Sequence, residues 1–202
     1  MSSSSEPASL DGRTARRARN SDAVLDAVHE LFVEGQHVPN IEDVAARAGV
    51  SLRSVYRYFP DSRQLMLAAL VRRTQLAEPS WELPEEGRGT FEERVDHFVE
   101  HRMALYDQAA PTIRAALALA DRVPDIAEQA DLRRRQVAEQ ARRHFAQELA
   151  EVSPEEAESR LTCVDLLCQF ESLDLLRSGR ELPRRRAHDV LVTGVRALLK
   201  PS

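Results

Sequence analysis

Apolar residues recur three or four positions apart along most of the chain, which is the spacing of one face of an α-helix. The first such run begins near residue 20 and ends at Gly35. Its apolar positions are Val24, Leu25, Val28, Leu31 and Phe32. The pattern predicts a first amphipathic helix.

Three further helices are predicted next, because small polar residues that cap helix starts precede each of them. The predicted second, third and fourth helices begin at Asn40, Ser51 and Asp61 and end near Gly49, Tyr58 and Ala77. Pro79 is expected to close this N-terminal unit.

Helical spacing continues to the end of the chain. The predicted spans are 90–107, 111–120, 124–150, 153–179 and 184–200. Apolar residues cover more than one side of the 153–179 segment, which indicates burial on several faces. One subunit has too little core to cover this helix and the last one, so we expect a homodimer.

Composition supports helices over sheets, because glycine is scarce while Ala, Leu, Glu and Arg are plentiful. The sequence therefore predicts an all-α protein. No stretch approaches the roughly 20 apolar residues of a membrane span, and the N-terminus has no run typical of a signal peptide. We expect a cytoplasmic protein with no membrane partner.

The formal charge of −5 conceals local basic segments. Residues 44–60 contain Arg47, Arg53 and Arg57 and no acid, and residues 12–19 contain four arginines and no acid. Residues 1–19 are predicted to form a flexible basic arm. This arm is either a solvated tail or a segment that reaches a DNA minor groove.

A helix-turn-helix needs a small residue at the helix crossing, a glycine in the turn and an apolar residue pointing back into the core. Ala45, Gly49 and Val55 supply these positions. With Val55 and Phe59 inward, the outer face of the third helix carries Leu52, Arg53, Tyr56 and Arg57. This face suits base edges and phosphates in a DNA major groove.

These segments resemble the TetR (tetracycline-repressor-like) family in DAVLDAVHELFVEG, NIEDVAARAGVS and VYRYFPDSRQLMLAAL, within residues 21–70. The resemblance implies a recognition helix over about 51–57. Tyr56 and Tyr58 then occupy phosphate-contacting or packing positions. The expected DNA-binding residues are Ser51, Leu52, Arg53, Ser54, Tyr56, Arg57, Tyr58 and Arg63. Two residues depart from the family pattern: Arg53 replaces a small residue, and Ser62 replaces a phosphate-binding lysine, with Arg63 as its expected substitute.

The resemblance also implies an architecture and a mode of control. We expect an N-terminal three-helix DNA-binding domain over 20–78, including a linking fourth helix, and a helical ligand-binding and dimerisation bundle over 79–202. The protein would be a repressor, acting as a homodimer on a near-palindromic double-stranded operator and released by an unknown small-molecule ligand. The expected pocket residues are Phe91, His97, Phe98, His101, Tyr106, Arg114, Phe145 and Phe170.

A competing pattern is HFVEH, residues 97–101, in which two histidines share a helix face beside Glu100. It suggests a helical metal-dependent hydrolase or a metal-responsive protein. A catalytic zinc needs a third protein ligand, and no flanking sequence offers a recognisable one. We therefore expect no metal, no cofactor and no enzyme activity. Cys163 and Cys168 are expected to be buried, reduced core residues.

Overall fold

The computed structural model describes residues 8–35 and 38–200, and these residues form helices and their connections without any strand. The prediction of an all-α protein is confirmed. The helices are α1 Ala8–Val33, α2 Ile41–Ala48, α3 Leu52–Tyr58, α4 Ser62–Trp81, α5 Phe91–Ala120, α6 Pro124–His144, α7 Ala146–Leu149, α8 Pro154–Cys168, α9 Phe170–Asp174 and α10 Arg184–Leu199, with a π-helical turn over Leu175–Gly179.

The described residues pack as two compact units. The first contains the chain up to Leu76 together with Arg114–Ile126, and the second contains Ala77–Ile113 and the chain from Ala127 onward. The predicted boundary near residue 79 thus omits one contribution to the first unit. Sequence periodicity could not reveal it, because the packing of residues 114–126 with residues far earlier in the chain is a tertiary contact.

The core of the first unit is built from α1 to α4 and the returning segment. Val24, Val28, Val44, Val55 and Leu65 are completely buried in it. The returning segment adds the buried side chains of Ala115, Leu119, Val123 and Ile126. Burial of apolar surface is the main force that holds these short helices together.

The predicted helix caps are present. The side chains of Asn40, Ser51 and Asp61 accept bonds from the backbone N–H groups of Asp43, Ser54 and Gln64 at 2.7, 3.2 and 2.8 Å. Each cap satisfies a backbone donor that the helix itself leaves without a partner. The starts of α2, α3 and α4 are therefore determined locally.

Gly49 ends α2 in the left-handed region, with φ 65° and ψ 30°. Its N–H and that of Val50 donate to the carbonyl groups of Ala46 and Ala45, at 3.3 and 3.1 Å. This pair of bonds is the Schellman ending of a helix, and glycine takes the required conformation without strain. The chain consequently turns sharply into α3.

Helix α1 begins at Ala8, so residues 8–19 are helical and the predicted flexible arm needs correction there. The alanines and arginines of this stretch favour helix, and no proline interrupts it. Residues 1–7 of the predicted arm lie outside the described residues. Arg16, Arg17 and Arg19 are exposed on α1.

Three predicted helix boundaries in the second half are wrong. Helix α5 continues through Pro111, although a proline inside a helix removes a backbone hydrogen bond. Burial of Tyr106, Ala110 and Ala115 along the same helix offsets that cost. Conversely, the predicted 153–179 helix breaks at Gln169, whose backbone is extended (φ −67°, ψ 158°). Helix α6 also ends at His144, earlier than predicted.

The second unit encloses a mainly apolar core and several polar side chains. Phe98, Met103, Phe145, Leu191 and Leu199 are among its fully buried members. Arg94 and Glu148 form a buried ion pair. Cys168 is buried as expected, but Cys163 is exposed on α8, because the helix has one face that the described chain does not cover.

His144 is buried beside Phe98 and Phe145, with ring centroids 5.9 and 4.8 Å away. Its Nδ1 accepts the N–H of Gly87 at 3.0 Å, so Nε2 carries the proton and donates to the carbonyl of Arg94 at 3.0 Å. Burial lowers the pKa of His144 below 6.5. The neutral imidazole is therefore the form that the folded state favours.

A side chain at Gly49 would meet no steric clash, because nothing lies within 4 Å of a Cβ added there. Any loss of stability on substitution therefore reports the backbone strain of positive φ. We expect Gly49→Ala to lower the free energy of unfolding by about 1–2 kcal/mol, since alanine resists positive φ. Gly49→Asn should cost less, because asparagine tolerates this region. Urea unfolding followed by circular dichroism measures both; equal losses would contradict the left-handed turn.

The lowered pKa of His144 predicts a pH dependence of stability. Below pH 6.5 the unfolded state binds a proton that the folded state resists, so the free energy of unfolding should fall as the pH drops from 6.5 towards the folded pKa. Glu34, Glu93 and Glu100 have pKa values lowered from 4.5, so they titrate below this window.

The measurement is urea unfolding at pH 7.5 and 5.5, followed by the fluorescence of Trp81, which belongs to the second unit. His144→Gln should remove most of the pH dependence between these values. His29, whose pKa is also lowered, lies in the first unit and provides the matched control His29→Gln. A pH dependence that survives in His144→Gln would rule out this histidine as its source.

Candidate nucleic-acid interface

Helix α3 divides into a buried side and an exposed side. Val55 is completely buried, and Phe59 directly after the helix is almost so. Arg53 and Arg57 are exposed, as are Leu52 and Tyr56 at 37% and 46%. The structure thus places inward and outward residues as the helix-turn-helix spacing predicts. Ser54 and Tyr58 are half-buried between the two sides.

The start of α3 is a small hydroxyl cluster. Ser51 Oγ accepts the N–H of Ser54, and the two side-chain oxygens lie 3.0 Å apart. Ser51 remains exposed while it caps the helix. Its first role is therefore to hold the N-terminus of α3 in place, with the neighbouring side chains of Leu52 and Arg53 pointing to solvent.

Two arginines of the first unit, Arg47 and Arg72, each form ion pairs with two carboxylates. Arg47 bonds Glu30 and Glu34 at 3.2 and 2.9 Å, and Arg72 bonds Asp22 and Asp26 at 3.0 and 3.2 Å. Arg47 therefore adds no free positive charge, although residues 44–60 contain no acid. The neutralising acids lie in α1 or, for Glu34, directly after it, where the linear pattern could not reveal them.

Arg53 and Arg57 differ from these arginines, since within residues 8–35 and 38–200 neither has a carboxylate partner. Arg57 instead donates from Nη2 to the hydroxyl of Tyr58 at 3.1 Å, and its Cζ lies 5.1 Å from the centre of that ring. The outer face of α3 consequently keeps two positive charges available to an anionic partner.

Tyr58 sits where α3 approaches the N-terminal part of α1. The hydrogen bond from Arg57 lowers the pKa of Tyr58, assisted by a bond from Asn20 and by the charge of Arg17. Tyr58 also packs against the core of the unit. It therefore has both a packing contact and a polar contact, and it orients Arg57. The sequence prediction placed Arg17 in a flexible arm before the first helix, so it did not reveal this influence on Tyr58.

Arg63, in the first turn of α4, pairs with Asp125 at 3.2 Å. Both side chains are about half exposed. Exposed pairs of this kind are weak and are readily exchanged for another anion. In this structure the guanidinium is directed to a protein carboxylate that the sequence prediction did not consider.

The residues predicted for a ligand pocket do not all fall in one unit. Arg114 belongs to the first unit, whereas the others belong to the second. Phe98 and Phe145 are completely buried against each other, with ring centroids 5.1 Å apart. They pack as core residues. Phe91, His97 and His101 are partly exposed.

Tyr106 and Phe170 form a second aromatic pair, with ring centroids 5.6 Å apart. The hydroxyl of Tyr106 donates to Asp174 Oδ1 at 2.9 Å and lies 3.1 Å from Ser178 Oγ. This buried tyrosine thus connects α5 to α9 and to the π-helical turn. It is the predicted pocket residue with the richest polar surroundings.

The HFVEH segment is not arranged as a metal site. Glu100 receives two bonds from Arg184, at 2.6 and 3.0 Å, and this contact lowers the pKa of the carboxyl. His97 instead faces the ring of His144, with centroids 6.1 Å apart. Among the residues that the structure describes, no three His, Cys, Asp or Glu side chains are grouped closely enough to hold a metal ion.

Part of the first unit matches a known protein family. Residues 24–69 match the family described as "Bacterial regulatory proteins, tetR family". No curated protein matches the sequence. Within the described residues, no helix is both long enough and apolar enough to cross a membrane.

Solved structures share the fold over nearly the whole chain. A TetR-family transcriptional regulator from Streptomyces coelicolor is 24% identical with a TM-score of 0.66, over 92% of this chain and 80% of its own. A TetR-family regulator from Mesorhizobium loti is 16% identical with a TM-score of 0.64, over 91% and 96%. GusR from Salmonella enterica is 21% identical with a TM-score of 0.62, over 90% and 95%.

Proposed function

Because residues 24–69 match the tetR family of bacterial regulatory proteins, we propose that the protein is a sequence-specific transcriptional repressor, released from DNA by a small-molecule ligand. The observation that carries the proposal is the outer face of α3. There Arg53 and Arg57 are exposed and have no carboxylate partner among the described residues, while Val55 anchors the helix from behind.

In the proposed complex α3 lies in the major groove. Arg53 donates to a guanine edge, while Ser51, Leu52 and Ser54 lie beside it near the bases. The groups expected on phosphates are Tyr56, Arg57, Tyr58 and Arg63. Arg63 exchanges Asp125 for phosphate, since an exposed ion pair is weak and DNA offers a dense row of anions.

A homodimer would place two α3 helices on the same operator. Helices α8 and α10 expose apolar side chains, including Leu166 at 62% and Val190 at 39%. Packing against the same helices of a second copy would cover them as a four-helix bundle. Two recognition helices about 34–36 Å apart then read a near-palindrome in the bacterial cytoplasm.

Ligand control requires two states that differ in affinity for DNA. Helices α4, α5 and α6 each contain residues of both units, so a change in the second unit can be transmitted along continuous helices. A ligand that favours the state with weaker DNA binding releases the operator by its differential affinity, typically about 1–3 kcal/mol.

The assignment of base reading to Arg53 is tested by binding-site selection. Arg53→Ala should flatten the preference at one base pair in each half-site, because an arginine–guanine pair discriminates by about 1–3 kcal/mol. Tyr56→Phe should weaken binding to all DNA sequences by the same factor, because it removes a hydrogen bond to phosphate. A gel shift with the DNA flanking the protein's own gene supplies the starting operator. An unchanged site preference in Arg53→Ala would refute the assignment.

The proposed dimer is tested by charging its surface. Leu166→Glu on α8 should convert the protein to a monomer at micromolar concentration, measured by sedimentation velocity, because it buries an unpaired carboxylate between the copies. Leu132→Glu on α6 is the matched control, since Leu132 is also exposed, at 41%. It should remain dimeric. A monomeric wild type, or a dimeric Leu166→Glu variant, would contradict the interface.

A further inference from the structure

Arg102 is enclosed within the second unit without a charge partner. It is only 3% exposed. Nη1 donates to Gln140 Oε1 at 2.8 Å and Nη2 donates to the carbonyl of Val137 at 2.9 Å, whereas Nε has no hydrogen-bond partner. Across residues 8–35 and 38–200, no carboxylate lies within 4.0 Å of its guanidinium. An arginine in this state is unusual, because burial of an unpaired charge is costly.

The same unit contains a buried arginine that is paired in the ordinary way. Arg94 is also 3% exposed, and its guanidinium forms an ion pair with the buried carboxylate of Glu148. Nε of Arg94 likewise has no hydrogen-bond partner, so the difference that distinguishes Arg102 is the missing anion. Consistent with this difference, burial lowers the pKa of Arg102 to about 10.

The surroundings hold the Arg102 guanidinium in a defined orientation. Gln140 donates from Nε2 to the carbonyl of Trp81 at 3.0 Å, which directs its Oε1 to Arg102. The ring of Phe98 lies against the guanidinium, with its centre 4.5 Å from Cζ. The remaining donors, above all Nε–H, are thus preorganised in a plane. A carboxylate matches this planar geometry with two parallel hydrogen bonds.

The groups around Arg102 favour a ligand with a single negative charge and an otherwise apolar structure. Cys168 is buried nearby, and burial raises the pKa of its thiol to about 12, so it stays neutral. Asp165 acts on Arg102 electrostatically from beyond ion-pair distance, and its Oδ2 accepts a bond from Gln169 at 2.7 Å. The carboxylate of Asp165 would repel a second negative charge, which disfavours dianions such as phosphate.

The chain beside this site departs from regular helix. Gln169 follows Cys168 directly and is extended, and a π-helical turn follows over Leu175–Gly179. Such irregular turns within helices are frequent at functional sites. The break at Gln169 directly follows Cys168, which lies close enough to Arg102 to act on its guanidinium electrostatically.

We propose that Arg102 is the anchor for the carboxylate of a small apolar monocarboxylic acid, which binds inside the second unit and completes the ion pair that the chain itself lacks. Phe98 contacts the acid next to its charged end. The inference rests on the proposed function in one respect, that this acid is the ligand that releases the protein from DNA.

The first test asks whether Arg102 is needed for folding. Arg102→Met leaves no buried charge behind, whereas Arg94→Met leaves the carboxylate of Glu148 without a partner. We expect Arg102→Met to keep a melting temperature close to that of the wild type, and Arg94→Met to melt far lower. If both substitutions lowered the melting temperature equally, Arg102 would be a structural residue and the proposal would be wrong.

The second test measures binding directly by titration calorimetry of the full chain without DNA. The probes are straight-chain acids from acetate to dodecanoate and phenylacetate, each with its primary amide, beside inorganic phosphate and sulfate. At least one acid should bind at least about tenfold more tightly than its amide, because a charge-assisted pair is worth more than a neutral one. Arg102→Met should lose this preference, and Arg102→Lys should retain part of it.

Three outcomes would overturn the proposal: no acid of the series binds, an acid and its amide bind alike, or phosphate and sulfate bind as well as the best acid. Repeating the titration with saturating operator tests the proposed function separately. An acid that requires Arg102 but binds equally with and without operator would leave the anchor in place and exclude release by this ligand. If the protein bound no operator, the proposed role as a transcriptional regulator would be excluded, whereas the proposed carboxylate site at Arg102 would not be affected.

Discussion

The burial of Val55 is the contact on which the proposed interface depends. A seven-residue helix such as α3 is too short to be stable alone, so it exists because its inner face packs against α1 and α2. Gly49 makes that packing possible, since its left-handed conformation turns the chain between the two helices. Once Val55 is inside, helical geometry leaves Arg53, Tyr56 and Arg57 outside. The position of the polar face thus follows from the apolar one.

The distribution of carboxylates then determines which arginines can act on another molecule. In the first unit, acids of α1 neutralise Arg47 and Arg72 and none reaches Arg53 or Arg57 among the described residues. Electrostatic steering by such a local face does not require a basic protein, which is why a chain of net charge −5 can present it. In the second unit Arg94 is likewise neutralised by a carboxylate, that of Glu148, whereas Arg102 bonds the neutral amide of Gln140. Arg53 and Arg57 in the first unit and Arg102 in the second thus have no carboxylate partner among the described residues, and each is assigned an anionic ligand.

Much of the local structure of the first unit could be predicted from short sequence signals. The caps Asn40, Ser51 and Asp61, the turn at Gly49 and the inward position of Val55 were all predicted, because each depends on residues within a few positions along the chain. The helices of the second half were predicted less accurately. Proline and polar residues mark possible ends, but packing decides whether the helix stops, as it continues at Pro111 and breaks at Gln169.

The sequence by itself therefore determined an all-helical chain, its helix-turn-helix and the face of α3 that carries arginine and tyrosine. Only the tertiary structure decided that residues 114–126 pack into the first unit, that Asp125 pairs with Arg63, that Cys163 is exposed, and that Arg102 is buried without a carboxylate. The physical reason is distance along the chain. Capping, turning and amphipathicity are interactions between near neighbours, whereas burial and ion pairing depend on side chains that meet only when the chain has folded.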